Sequence, residues 1–402
     1  MESNHPKTSI ALIGGGASAL FFAASIDSSK FSVTIYEKNK TLGRKFLVAG
    51  DGGFNLTHSE PTQQMIARYS PNDFLQDALL QFDNNSCREW LSDLGIATFI
   101  GSSKRIYPEK GIKPIEVLNA ILQKIKENKV EIKYEQTWNG WKDDKLLFNS
   151  SDVVVADIVI FALGGASWKV TGSDGSWLRY FEEKGIETLP FQASNCAYKV
   201  DWKSDFIKQF HGEPLKNISA TCENKTQKGE LVITEFGLEG NAIYALSPEI
   251  RRQLNNNKDA SLFIDLKPHL SAENLKIKFE NASNSSKNRT SILREKIKLS
   301  KTQVALLKSI LSKDEFLDDA ILLQKIKQLP IKITDLAPMD EAISTVGGIV
   351  LSEVSESFEI KKLPRYYCIG EMLDYDAPTG GYLLQACYSL ARIVAKKITD
   401  SL

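Results

Sequence analysis

The sequence predicts an α/β fold: a Rossmann-like parallel sheet built from both ends of the chain, with an inserted β region and a small helical region between them. Three observations carry this. Residues 9–37 read as strand, glycine turn, helix, strand and acid, the arrangement that binds dinucleotides. Residues 367–397 present another strand, glycine turn and helix, suited to complete the first domain. Between them the pattern changes to short strand-like runs and then to helical spacing, with no internal repeat.

Composition narrows the class. The 402 residues are 42% hydrophobic and 25% charged, an ordinary globular mix with ample length for a large core. Lys+Arg and Asp+Glu are each 50, which argues against a surface that is basic throughout. The five cysteines (Cys87, Cys196, Cys222, Cys368 and Cys387) form no C-x-x-C, so a redox dithiol beside a cofactor is not expected. The four histidines (His5, His58, His211 and His269) stand apart, and no metal site is expected. Residues 8–26 carry no charge, but Gly14-Gly15-Gly16 interrupt the run and Phe21-Phe22 stand where a leader's small cleavage residues belong. The expectation is a soluble cytoplasmic protein without a membrane partner.

The elements run in order from the first strand. Ser9-Ile10-Ala11-Leu12-Ile13 is an apolar run suited to a buried parallel strand. Gly14 permits the tight turn after it, and Gly16 lets a pyrophosphate approach the backbone. Ala19 is small enough for close helix–strand packing. The helix start at Ala17, Ser18 and Ala19 presents free N–H groups and a positive dipole end to phosphate. Ser32 to Tyr36 reads as the second strand. Glu37, 21 residues after Gly16, can accept hydrogen bonds from both ribose hydroxyls and repels a 2′-phosphate. This pattern alone leaves FAD and NAD both open.

The residues after Glu37 favour a flavin. Lys38, Arg44 and Lys45 come soon after the acid, and a basic pair suits a pyrophosphate or the electron-rich edge of a reduced flavin. The run from Ala49 to His58 has three glycines in four residues, able to pass flat against a ring system, with Asn55 and Thr57 available to its edge. Residues 101–108 are read as the end of a helical stretch. Residues 113–126 are read as a helix with Ile115, Leu118, Ile121, Leu122 and Ile125 on one face. Residues 131–141 and 145–148 are read as one hairpin around Asp143-Asp144. A buried strand ends in Ala162-Leu163-Gly164-Gly165, and Thr171-Gly172-Ser173-Asp174-Gly175-Ser176 precedes a helix over 177–184. At the far end, Gly370-Glu371 closes a strand, and Gly380-Gly381-Tyr382 opens a helix whose N-terminus adds a second dipole toward the ring.

In the middle, 196–200, 219–222, 230–234 and 261–264 are expected strands, while 271–329 is helical with a polar connector at 281–288. The helical part is basic, with 12 Lys/Arg against 6 Asp/Glu over residues 276–327. Solvated helix faces are the commoner cause of such a surplus, so nucleic acid is not the expected partner.

Taken together, Ile13 to Ala19, Leu42-Gly43-Arg44-Lys45, Asn55-Leu56-Thr57, Ala162-Leu163-Gly164-Gly165, Gly229-Glu230-Leu231, Gly347-Gly348 and the stretch from Gly370-Glu371 to Gly380-Gly381-Tyr382 resemble the BaiN/RdsA-like family of NAD(P)/FAD-dependent oxidoreductases. The resemblance implies a discontinuous Rossmann-like FAD-binding domain, a parallel sheet with a β-meander, over 1–190 and 346–402. It implies an inserted β-barrel-like domain over 191–270, a helical subdomain over 271–330 and a return strand over 331–345. It further implies FAD contacts at Gly14, Gly16, Ala17, Ser18, Ala19, Glu37, Lys38, Arg44, Lys45, Asn55, Thr57, Ala162, Gly164, Gly370, Glu371, Gly381 and Tyr382, with adenine near Thr137 and Trp138. The chain departs from many members in having Gly53-Phe54 before Asn55, and Leu383 after the Gly-Gly-Tyr.

The expected function is FAD-dependent hydride transfer between a small organic substrate or NAD(P)H and the flavin. No second glycine fingerprint of equal quality exists, so NAD(P)H would be a transient donor. One alternative is an oxygen-using amine or aminoketone oxidase; another, of a different class, is a flavin-bearing nucleic-acid modifier. Tyr382, Tyr107 and His58 are the candidate proton donors.

Overall fold

The computed structural model describes residues 7–48, 53–283 and 288–401. The chain divides into two compact units, Met1–Gln192 with Ile343–Leu402, and Ala193–Ala342. Ala49, Gly50, Asp51 and Gly52 of the second glycine segment lie outside the described residues, as do His5 and residues 284–287 of the polar connector.

The first unit is organised by a five-stranded, all-parallel sheet. Its strands are β1 (Thr8–Ile13), β2 (Phe31–Tyr36), β3 (Glu131–Lys133), β4 (Ile158–Phe161) and β5 (Tyr366–Cys368), in the order β5-β4-β1-β2-β3. β1 and β4 are buried apolar runs because a parallel sheet is covered on both faces. The pairing of β5 with β4 draws residues near 368 to within a strand's width of residues near 161.

Three helices matter for the site: α1 (Ala17–Ser25), α2 (Pro114–Glu127) and α3 (Tyr382–Asp400). α1 is buried from Ser18 to Ala24, apolar nearly all round, as a helix enclosed by other elements must be. Phe21 meets Tyr388 of α3 and Trp90 edge-on, at centroid separations of 5.7 and 5.4 Å. α2 starts cleanly because Pro114 occupies its first turn and Glu116 accepts the Lys113 N–H at 2.7 Å. Its buried face is Val117, Leu118, Ile121 and Ile125, whereas Ile115, expected inside, is exposed in the first turn.

The structure corrects two readings. Residues 131–141 are not one hairpin strand: Glu131–Lys133 is the edge of the parallel sheet. The chain then turns at Glu135, a left-handed residue (φ 57°), and a separate antiparallel meander runs through Trp138–Lys142, Lys145–Phe148 and Asp152–Val154. Periodicity could not separate them, since both halves are short and equally strand-like. The Asp143-Asp144 turn does form, with φ 51° and 60°, as a two-residue hairpin turn requires. Likewise residues 101–108 do not end a helix: Thr98–Ile100 and Arg105–Pro108 pair as a hairpin, and Thr57–His58 joins its second strand.

The second unit is a seven-stranded antiparallel sheet. Its order is Leu329–Ile333, Ala260–Asp265, Pro214–Cys222, Lys225–Ile233, Gly237–Glu239, Tyr198–Lys199 and Asp335–Leu336. The outermost members are separated in the chain only by Thr334, so the sheet curls on itself into a barrel. Helices between Ala272 and Lys327 pack in this same unit, with Leu275, Phe279, Leu293, Leu307 and Leu322 in its core.

Candidate active site

The turn between β1 and α1 is the most open part of an otherwise buried region. Gly14 has φ +103°, and a Cβ there would stand 2.5 Å from the Ala162 carbonyl oxygen, so only glycine lets β1 leave the sheet beside β4. Gly16 is exposed, and a Cβ built on it meets nothing within 4 Å. That empty cradle adjoins the N–H groups of Ala17, Ser18 and Ala19, which a helix's first turn leaves without intrahelical partners. The Ser18 hydroxyl itself is buried beneath Gly370, whose Cβ would lie 2.2 Å from it, so its side chain is engaged with the protein.

Glu37 sits buried at the carboxyl end of β2. Its Oε1 accepts from the Asn39 backbone N–H at 2.7 Å and from Asn39 Nδ2 at 2.6 Å. The basic residues after it separate. Arg44 NH1 donates to Asn39 Oδ1 at 3.0 Å and NH2 to the Val170 carbonyl at 2.8 Å. Lys45 instead donates to Ser167 Oγ at 2.7 Å and pairs with Glu371 at 3.1 Å. Lys38 pairs with Asp174 at 3.2 Å. The two cations of the expected basic pair are thus anchored on different residues of the segment after Gly164-Gly165, Arg44 on Val170 and Lys45 on Ser167. Glu371 also accepts the Thr345 N–H at 3.0 Å, and Gly165 packs directly on Thr345. Gly164 (φ +72°) packs against Ser173 and accepts Trp177 Nε1 at 3.2 Å. Residues from both ends of the chain therefore meet at one place.

The segment before Trp138 runs beside the acid, the Gln136 N–H donating to the Glu37 carbonyl at 2.9 Å. The Trp138 indole is buried among Trp141, Phe161, Tyr180 and Phe181, and the Thr137 N–H and carbonyl are both bonded to Asn149. Asn55 remains open: its side chain has no hydrogen bond among the described residues and is partly exposed.

The turn before α3 is closed by contrast. Gly381 has φ +99°, and its Cβ would lie 2.6 Å from the Thr57 backbone. Thr57 is fully buried and donates to Gln385 Oε1 at 2.6 Å, so its hydroxyl is engaged with the protein. Tyr382 is buried too. Its hydroxyl donates to Glu60 at 2.6 Å, Glu60 is held by Arg68 at 3.0 Å, and Tyr69 donates to the Tyr382 carbonyl at 2.8 Å. Burial, and then the bond to Glu60, push the Tyr382 phenol far above its ordinary range. His58 stacks on the Tyr382 ring at 5.2 Å, its Nδ1 accepts the Glu60 N–H at 3.2 Å, and burial lowers its pKa despite the opposing pull of Glu60. Tyr107, stacked on Phe99 at 5.7 Å and packed on Gly53, is partly exposed, with no hydrogen bond to its hydroxyl among the described residues. Of the three candidate donors, two are thus enclosed in one network and the third is apart.

Sequence reasoning missed Glu60, Tyr69 and Gln385, whose partners lie more than 300 residues away in the chain, and Arg68, which holds Glu60. It also missed Asn39, for which a signal existed, since it stands two residues after the acid. All five cysteines are buried and none is in a disulfide; burial pushes Cys87 up to about 12 and Cys387 up to about 11. Among the described residues no group of His, Cys, Asp or Glu can hold a metal, and no helix is long and apolar enough to cross a membrane.

A glycine turn opening on free N–H groups, with a buried acid at the end of the neighbouring strand, defines a dinucleotide-binding α/β protein. The residues present fit an FAD, because the one turn position without a protein neighbour is where a pyrophosphate needs room. A family model described as HI0933-like protein Rossmann domain matches residues 8–397, and the chain belongs to that family. It is an FAD-dependent oxidoreductase. It is 25% identical to the 3-dehydro-bile acid delta(4,6)-reductase of Clostridium scindens, over 97% of this chain and 99% of the relative. It is 26% identical to a ribosomal RNA dihydrouridine synthase of Haemophilus influenzae, over 96% and 98% respectively. Among solved structures, 3-ketosteroid delta1-dehydrogenase from Sterolibacterium denitrificans aligns with a TM-score of 0.50 at 11% identity, covering 98% of this chain and 100% of that one, a likeness of fold alone.

Proposed function

We propose that the chain reduces a carbon–carbon double bond conjugated to a carbonyl, using NAD(P)H as the transient electron donor and FAD as the resident cofactor. The observation that carries the cofactor reading is the open cradle at Gly16. The names of the two relatives support the reaction class. One denotes reduction of a 3-oxo diene and the other reduction of the uracil ring's double bond, and both are conjugated reductions.

FAD, when bound, supplies the hydride chemistry. The chain's own residues bind and orient. The N–H groups of Ala17 to Ala19 take the pyrophosphate charge, Glu37 takes ribose, and the free amide of Asn55 bonds to the ring edge. A conjugated reduction also needs a proton on the second carbon. Tyr107 Oη holds that proton, because it alone among the three candidate donors is neither bonded nor fully buried.

A second reading, an RNA substrate, rests on the dihydrouridine synthase relative. The basic helices give it limited support, since Lys327 is tied to Asp265 at 2.6 Å and to two carbonyls, and Arg289 to Asp319 at 2.7 Å. The test is anaerobic. Purified protein is loaded with FAD and mixed with NADH or NADPH, then with a 3-oxo-4-ene steroid or with uridine-containing RNA. Loss of the flavin's visible absorbance with a pyridine nucleotide, and its return with a conjugated acceptor, is expected. Bleaching by an amine alone would favour the oxidase. Salt-sensitive RNA retention with reoxidation only by RNA would favour the second reading. A colourless protein that takes up no FAD overturns the proposal.

A further inference from the structure

Gly14 and Gly16 have evident tasks in the first turn, but Gly15 has none in the dinucleotide fingerprint. The structure supplies one. A Cβ on Gly15 would lie 2.3 Å from Leu42 Cδ2 and 2.8 Å from Glu37 Oε2. The Glu37 carboxylate therefore lies against the turn itself, and the missing side chain makes room for its Oε2.

The other carboxylate oxygen is held from the opposite side. Asn39 places two donors on Oε1, its backbone N–H at 2.7 Å and Nδ2 at 2.6 Å. The amide is itself oriented, because its Oδ1 accepts from Arg44 NH1 at 3.0 Å. This also fixes which end of the amide is nitrogen. Arg44 is anchored in turn on the Val170 carbonyl at 2.8 Å, and Gly172 (φ +114°) lets the same loop close over Asn39, where a Cβ would lie 2.5 Å from Nδ2. One oxygen of the acid is thus saturated, and the other is left at the glycine turn.

We infer that Asn39 is the positioning residue of the adenosine-ribose site: it holds Glu37 so that Oε2 is presented at the Gly15–Gly16 turn to accept a ribose hydroxyl of the dinucleotide. The inference rests on the FAD reading above. A carboxylate with both oxygens free rotates and bonds a diol in several ways. A carboxylate clamped at Oε1 offers one acceptor in one direction, which makes recognition sensitive to the hydroxyl it meets.

Binding to the apo protein tests this without any turnover. FAD and analogues lacking the adenosine 2′- or 3′-hydroxyl are titrated into wild type and Asn39→Ala, and flavin fluorescence is followed. Wild type should bind FAD about tenfold more tightly than at least one deoxy analogue, the magnitude of a hydrogen bond to a charged acceptor. In Asn39→Ala that ratio should fall toward one, with FAD losing about tenfold in affinity and the analogue little. Asn39→Asp, which sets a second carboxylate against Glu37, should bind FAD more weakly still. Thermal unfolding of the apo variants controls for a merely structural defect, which would weaken all ligands equally. Equal weakening, an unchanged ratio in Asn39→Ala, or a wild type indifferent to both hydroxyls overturns the role of Asn39. A wild type that binds no FAD overturns the proposed function and this inference with it.

Discussion

Two glycine turns lead into the two helices that lie side by side at the core of the first unit, and they do opposite things. Before α1, Gly16 has extended backbone (φ −81°) and faces empty space. Before α3, Gly381 has left-handed backbone and touches the main chain of Thr57. Both helix starts carry the same dipole and the same unpaired N–H groups. At the first nothing stands over the glycine, whereas at the second Gly381 packs on Thr57 and the Tyr382 carbonyl and hydroxyl are engaged by Tyr69 and Glu60. The lesson is that a glycine before a helix is ambiguous: it can clear room for a phosphate or for another piece of protein. What distinguishes the two is the neighbour a Cβ would meet.

The comparison breaks most visibly at Gly381. Gly381→Ala combines a positive φ with a 2.6 Å approach to backbone that cannot yield, so it should destabilise the protein by roughly 3 kcal/mol. Chemical denaturation of the apo protein measures it, and a variant as stable as wild type would mean that the joint is looser than described. Next in size is Tyr382→Phe, which leaves Glu60 one donor short in a buried site and should cost about 1–2 kcal/mol by the same measurement. Gly16→Ala is the counterpart with reversed signature. With nothing near its Cβ, apo stability should change by less than about 1 kcal/mol, the unfolded chain's lost entropy offsetting the poorer helix N-cap. FAD affinity should nevertheless fall about tenfold or more, because the methyl occupies the cradle. If Gly16→Ala destabilised the apo protein by more than this and bound FAD normally, the assignment of the two turns would have to be exchanged.

How much of this was legible before the structure depends on sequence distance. The first turn was fully legible, since β1, the glycines, α1 and Glu37 lie within 30 residues and each constrains the next. The C-terminal turn was legible as strand, glycine and helix. Its closure was not, because Thr57, Glu60 and Tyr69 are more than 300 residues away and no local spacing refers to them. The same limit explains Lys45, whose charge was read correctly as a charge but whose partner, Glu371, decides what it does. The hairpin at residues 138–148 and the strand at 131–133 failed for another reason: short runs of similar composition carry no information about which sheet they join.

The smallest effect probes the closed turn through pH. His58 is held below its ordinary value first by burial, with Arg68 and Arg105 adding repulsion and Glu60 only partly offsetting them. In the unfolded chain the imidazole titrates near its ordinary value of about 6.5. As the pH falls through that value, the unfolded state takes up a proton that the folded state still refuses. The His58 contribution is therefore intact above about pH 6.5 and is lost as the pH drops toward the folded value. Because the ring is only about half buried, solvent screening keeps the effect small. His58→Gln should flatten that limb of the stability profile between about pH 6.5 and pH 5, leaving the carboxylate-driven loss at lower pH in place. A profile with the same slope in the variant would show that the imidazole stacked on Tyr382 does not feel the burial that the closed turn imposes.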